Sequence, residues 1–292
     1  MSFAQEPDGL CTTFVWITYN GGLTETSVIW LRVAAALYSI GLVDSVFLLT
    51  RQKEPFFRTA LGAFWLGGLF HLVSMVELGM MQHQFPVTDI YQRLSLCAFL
   101  ITVSFLFAYW KYKTASLSVF IFPLVFVLAL IAAMGNNDTM WTSETLKNSW
   151  LIAHIVFILL GYAAVLFTAV AAVLYLVQEQ RLKKKNFGDG PGFRLPPLGI
   201  LDDLVSSSLN LGFVFITIGV IIIIVWASAS FGMKWISDPR IGISLITWAI
   251  YLVLIFFRAS AGWRGRKAAF LAIAALFFSV VTWLTHGGIP VQ

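Results

Sequence analysis

The chain has 292 residues, 59% of them hydrophobic and 11% charged, with a mean hydropathy of +0.85. Soluble domains carry about 25% charged residues, so this composition excludes an ordinary soluble domain and points to a polytopic membrane protein. The formal charge of +5 is no nucleic-acid signal, because Lys and Arg fall where a bilayer would place them, and the two cysteines, Cys11 and Cys97, form no C-x-x-C motif of thiol–disulfide exchange.

In chain order, Met1 to Glu25 lacks a basic stretch followed by an apolar core, so no cleavable signal peptide is expected. Residues 1–26 read as an outer segment and 27–292 as a single transmembrane domain. Eight apolar runs are long enough to span a bilayer, at about 20 residues each: 27–49, 57–79, 92–110, 115–134, 150–177, 206–230, 241–257 and 267–288. Backbone exposed to lipid must satisfy its own hydrogen bonds, which makes each run a helix. The predicted fold class is all-α, a polytopic membrane bundle of about eight transmembrane helices. Fourteen Lys and Arg residues fall in one set of loops, including Arg51, Arg58, Lys111, Arg181, Arg258 and Arg266. Five fall on the other side: Lys147, Lys234 and Arg240, with Arg32 and Arg93 near helix ends. The basic side is expected to be cytoplasmic, with both termini and the 226–248 segment outside. The longest inner segment, about 181–205, has turn-forming Gly and Pro and a basic cluster suited to anionic lipid. No P-loop pattern occurs, which argues against ATP hydrolysis by this chain.

Two kinds of residue stand out chemically. Between two apolar runs, W-A-S-A-S-F-G-M-K-W-I-S-D-P-R-I-G-I-S-L-I-T-W places Trp226, Trp235 and Trp248 around Asp238 and Pro239 at a membrane surface. Such residues form either an interfacial aromatic belt or a platform for a flat, partly polar ligand. Asp238 also suits the start of the next helix. Histidine is scarce. His71 lies within the second run, His154 one turn after Trp150 at the outer end of the fifth, and His286 at the outer end of the last. Ionisable residues inside a membrane are functional candidates by default, with helix packing as the alternative.

The 226–248 segment resembles the tryptophan-rich "WWD" signature of the cytochrome c assembly family, the CcsA, CcmC and HemX-type heme-handling membrane proteins. Trp226, Ala227, Gly232, Trp235, Asp238, Pro239 and Ser244 to Trp248 match it in register, while Phe231, Lys234, Ser237, Arg240 and Ile241 depart from it. The likeness extends to Trp150, Leu151, His154, Tyr162 and Ala163, to the His71–Tyr91 block, to Leu195–Leu198 with Leu201 and Asp202, and to Gly262–Arg266. A G-x-H-S-Y block after the last helix is missing, and Phe256 stands where the family pattern has a membrane histidine.

The resemblance implies heme as cofactor, His154 as an external axial ligand, and Trp226, Trp235, Asp238 and Trp248 around the macrocycle. It implies His71 and His286 as weaker candidates for the iron. With no C-x-x-C-H the chain is not itself a covalent c-type cytochrome. The implied function is heme binding and delivery at the outer face of the cytoplasmic membrane during cytochrome c maturation. The implied partners are apocytochrome c and a ResB/CcsB-like accessory subunit. If the chain is part of an enzyme, the complex is a heme–apocytochrome c ligase. The alternative is a HemX-like accessory or regulatory protein of tetrapyrrole synthesis. Because Phe256 cannot ligate iron, one outer heme site is expected, with no second site between His71 and residue 256.

Overall fold

A computed structural model describes residues 8–51, 57–87, 89–135, 149–183, 195–237, 239–260 and 265–288; the side chains of 8–25, 48–51, 234, 235, 237, 240 and 283–288 are not described. Trp235, Asp238 and His286 therefore lie outside the described side chains. Among the described residues eight α-helices follow one another: α1 (Asp8–Arg51), α2 (Phe57–Gln82), α3 (Ile90–Tyr112), α4 (Ser118–Met134), α5 (Ser149–Lys183), α6 (Leu198–Phe231), α7 (Pro239–Ser260) and α8 (Arg266–Gly288). Short 3-10 turns occupy Ala115–Leu117 and Gly232–Ser237. Seven helices are long and apolar enough to cross a membrane over their described residues, and α8 occupies the eighth apolar run. The chain is a multi-pass, all-helical membrane protein.

The helix ends follow local chemistry. Asp89 caps α3, its carboxylate accepting the Tyr91 N–H at 3.4 Å. Lys113 ends that helix in a left-handed conformation. At its start, α1 extends beyond the expectation. Its apolar run begins near Ser27, where the chain becomes greasy, but the helix begins at Asp8. An apolar run marks the part of a helix that meets lipid, and backbone hydrogen bonding continues past it.

The helices pack as two groups. In the first, α1 lies against α2 and α4, and α3 against α4. Tyr38, Phe64, Phe105 and Phe122 fill its centre, with the Phe64 and Phe122 rings stacked 4.4 Å apart. In the second, α5 packs along most of α6 and α8, and α7 lies against α6 and α8. The helix α5 also touches α3, and its alanines join the aromatic core of the first group. Lipid tails are as apolar as leucine, so association depends on close fit and polar contacts. Both are present: Thr247 bonds Thr282 at 2.5 Å, and the Tyr251 hydroxyl donates to the Ala275 carbonyl at 3.1 Å.

Candidate functional site

The end of the α5–α6 pair that the Lys and Arg pattern assigns to the outside carries the strongest candidate. At Gly219 the two helices approach so closely that a methyl group there would lie 2.8 Å from Ile158 Cδ1. One turn before Ile158, His154 Nδ1 lies 2.8 Å from the Gly219 carbonyl oxygen. A carbonyl only accepts, so Nδ1 carries the proton. In the neutral ring the lone pair then sits on Nε2. This is how metal-binding histidines are commonly held: one nitrogen anchored to a carbonyl or carboxylate, the other presented as the ligand.

Trp226 stands seven residues after Gly219, two turns further out on the same face of α6. The Ile158–Gly219 contact fixes an antiparallel register that brings Trp150, half exposed, level with Trp226. Phe231 meets the Trp226 ring edge-on at 5.5 Å. The Trp226 indole Nε1 is buried without a hydrogen-bond acceptor. A buried donor with no acceptor is costly, and this one lies beside the outer aromatic segment.

Trp248 is committed differently. Its indole N–H donates to Thr217 Oγ1 at 3.0 Å, and its ring stacks on Phe213. It joins α7 to the side of α6 roughly opposite the one that carries Gly219 and Trp226.

His286 can be placed only by its position on α8. At the inner end, a methyl group on Gly265 would lie 2.7 Å from the Tyr175 hydroxyl, so the start of α8 meets α5 there. Twenty-one residues outward along each antiparallel helix, about 31 Å, lie His154 on α5 and position 286 on α8.

His71 belongs to a separate environment. It is fully buried in the middle of α2, with Nε2 2.8 Å from Ser95 Oγ and Nδ1 3.4 Å from the Tyr38 hydroxyl. Thr102 Oγ1 in turn donates to Tyr38 at 3.4 Å. Both ring nitrogens are thus engaged, and Phe99 packs against the ring at 5.7 Å. A cleft beside it, reaching Ser27, Ser74, Gln92 and Ser95, has room for about one or two water molecules and none for a macrocycle. Phe256 is 62% exposed on α7, which packs on α6 and α8 and turns this side chain toward lipid. The main neighbours of α2 are α1 and α3, so His71 and residue 256 do not face each other across one pocket. Arg32 is exposed, as a residue snorkelling to the interface would be.

One cluster was not anticipated from the sequence as a cluster. At the inner ends of α6, α7 and α8, Arg258 Nε donates to Ser206 Oγ at 3.0 Å and Nη2 to Asp202 Oδ1 at 3.1 Å. Asp202 Oδ1 also accepts the Gly265 N–H at 3.4 Å. Gly265 has a φ of +64°, which glycine adopts without strain. Three separate sequence blocks, around 202, 258 and 265, meet here. The available signal was that each holds a polar residue at the basic end of an apolar run.

Among the described residues no group of three or more His, Cys, Asp and Glu side chains is placed to hold a bare metal ion. Among the described side chains, the donor set at this end is one imidazole and an aromatic wall, which suits a cofactor that brings its own equatorial ligands to iron.

Residues 87–286 match the family model described as Cytochrome C assembly protein. That stretch includes His154, the 226–248 segment and His286, while His71 precedes it. The chain is 27% identical to the cytochrome c biogenesis protein CcsA of Synechococcus sp. (strain RCC307), over 68% of this chain and 72% of that protein. It is 27% identical to the protein of that name from Prochlorococcus marinus (strain MIT 9312), over 80% and 82%. With that from Heterosigma akashiwo (strain NIES-293 / 8280G21-1) it shares 25%, over 70% and 73%.

Proposed function

Because the chain belongs to the cytochrome c assembly protein family, we propose that it acts in cytochrome c biogenesis, binding heme at the outer face of the cytoplasmic membrane and delivering it to apocytochrome c. The observation that carries this reading is the His154 imidazole, fixed by the Gly219 carbonyl so that Nε2 is the nitrogen that can ligate iron. His154 would hold the iron of a bound heme through Nε2, and His286, at the same level on α8, would be a second candidate ligand. Trp226 and Trp235 pack against the macrocycle, and Asp238 and Trp248 set the segment that carries them.

The residues fit a porphyrin at this place. The Trp226 indole N–H, buried and without an acceptor, suits a propionate carboxylate, which is a strong acceptor. When bound, heme supplies the vinyl groups to which apocytochrome thiols add. The protein's own residues hold the ring plane, fix the imidazole tautomer and exclude water on the α5–α6 side. His71 takes no part, since both its nitrogens are engaged in packing bonds. An accessory membrane subunit of the ResB/CcsB kind presents the apocytochrome, a task for which this helical chain has no outer domain among its described residues.

The test is a pyridine-hemochrome assay on the purified protein together with His154→Ala. Heme should copurify, and the variant should lose it or change its absorption spectrum, with His154→Gly partly restored by added imidazole. Unchanged occupancy and spectrum would remove His154 from the site. A protein that never carries heme would fit the HemX-like accessory reading instead.

A further inference from the structure

The cleft beside His71 lies in the first helix group, away from the proposed heme site. It begins at Pro86 in the α2–α3 connection and Tyr91 in the first turn of α3, at the end that the Lys and Arg pattern assigns to the outside. Ser27, Ser74, Gln92 and Ser95 give it a polar lining. Ser74, eight residues before the end of α2, lies about 12 Å in from that end, and its hydroxyl donates to the Ser27 carbonyl at 2.7 Å. A polar, water-sized space with several hydrogen-bonding partners holds water, whereas dry cavities are apolar. Ser95 Oγ joins this space to the histidine, 2.8 Å from Nε2. A hydroxyl gives one hydrogen bond and receives two, and the contact with His71 uses one of the three.

The far side of the ring is closed. His71 Nδ1 meets the Tyr38 hydroxyl, and the polar contacts end at Thr102, whose hydroxyl also has the Ala98 carbonyl at 2.9 Å. A methyl group on Gly67 would lie 2.9 Å from Tyr38 Cε1, so α2 leaves space for this ring. Inward of it stand Phe64, Phe105 and Phe122, all fully buried, with ring centroids 4.4 to 5.6 Å apart. The titratable groups nearest the cleft are Tyr38 on α1, Tyr91 on α3 and Glu77 on α2, which accepts the Thr26 hydroxyl at 2.5 Å. The fourth wall, α4, contributes Ala132, and no described Lys or Arg lines the space.

We propose that this cleft is a proton-access well, which takes water and hydronium from the outer surface to His71. A hydronium in the cleft gives a proton to Ser95 Oγ while the Ser95 hydroxyl proton passes to Nε2. Water, an intact serine and an imidazolium result. The cation is transient, because no described carboxylate bonds the ring, and the reverse step returns the proton. Polar chains that end on an intramembrane histidine suit such relays. The three phenylalanines stop the path, so the well exchanges protons with one side of the membrane and conducts none across it.

The experiment uses the full chain in lipid nanodiscs, with isotope-labelled histidine followed by nitrogen NMR. Exchange of the His71 ring proton with solvent deuterium should slow about tenfold or more in Ser95→Ala, as for the loss of one bridging hydrogen bond. Ser95→Thr, which keeps the hydroxyl, should exchange near the parent rate. Parent exchange as slow as that of Ser95→Ala would overturn the proposal. A second arm needs no change at Ser95. In a background with Cys11 and Cys97 replaced, silver ion, close to water in size, should modify Ser74→Cys at least about tenfold faster than Ala60→Cys. Ala60 is fully buried one turn inward of Phe64. A bulky methanethiosulfonate reagent should modify neither. Equal silver rates, or rapid reaction of Ser74→Cys with the bulky reagent, would also overturn the assignment. No arm uses heme, so the result stands or falls separately from the function proposed above.

Discussion

Replacing Gly219 by alanine tests the link between helix packing and the proposed iron ligand. The added methyl would sit 2.8 Å from Ile158 Cδ1, 2.9 Å from Cγ1 and 3.4 Å from the Ile158 nitrogen. Carbon atoms pack best at about 3.5–4.0 Å, so the overlap is about 0.7 Å. A rotation about the outer bond of Ile158 frees Cδ1 but leaves Cγ1 in place, because a β-branched residue in a helix is held to one χ1. The helices must therefore part by about the overlap. The 2.8 Å bond from His154 to the Gly219 carbonyl would then stretch to about 3.5 Å, where a hydrogen bond is lost. Overpacking costs about 1–3 kcal/mol and the bond about 1 kcal/mol. Loss of the group that orients a ligating imidazole lowers affinity about 10–100-fold. Heme titration followed by absorbance, with thermal melting in detergent, reads both effects. Adding Ile158→Ala removes the clashing atoms and should recover part of each, as a coupling of about 0.5–3 kcal/mol. If Gly219→Ala melts and binds heme like the parent, or if Ile158→Ala only deepens the loss, the packing argument fails.

Three further outcomes are expected. His71→Ala should lower the melting temperature through two lost hydrogen bonds, about 1 kcal/mol each, while heme content stays at the parent level; heme loss with intact folding would return His71 to the iron. Asp202→Ala should destabilise the protein by about 1.5–3 kcal/mol by stripping the Arg258 guanidinium, whereas Glu179→Ala, which breaks the exposed 2.6 Å pair with Lys183, should cost about 0.3–0.5 kcal/mol; comparable denaturation midpoints would contradict this ranking. Asp238→Cys should react with an impermeant thiol reagent added to intact cells and Lys184→Cys should not, in a background with Cys11 and Cys97 replaced; the opposite pattern would invert the topology.

The helical architecture was legible because lipid forces a simple rule on the sequence: long apolar runs must close their own hydrogen bonds. The eight runs map onto α1 to α8, and the spacing from Trp150 to His154 places that histidine one turn inside α5. What could not be read was which polar atoms meet across helices. The partner of His154 is a backbone carbonyl 65 residues away, and carbonyls carry no sequence signature. Trp226 and Trp248 look alike in the tryptophan-rich segment, yet one has an unpartnered N–H and the other is bonded to Thr217. The difference arises from helical phase on α6 and from which neighbour lies against each face. The start of α1 at Asp8 was missed for a related reason, since hydropathy locates the bilayer and not the helix.

The joint at Asp202, Arg258 and Gly265 has a mechanical meaning. From Asp202 to Phe231, α6 is a rigid arm about 44 Å long, with its fulcrum at the inner face and the aromatic segment at its tip. A tilt of only one degree about that fulcrum moves the tip by about 0.8 Å, beyond the roughly 0.5 Å within which a binding constellation must be held. The ion pair and the tight glycine turn brace the arm where the leverage is greatest. A change at this joint is therefore expected to be felt at the aromatic end of α6, about 44 Å away.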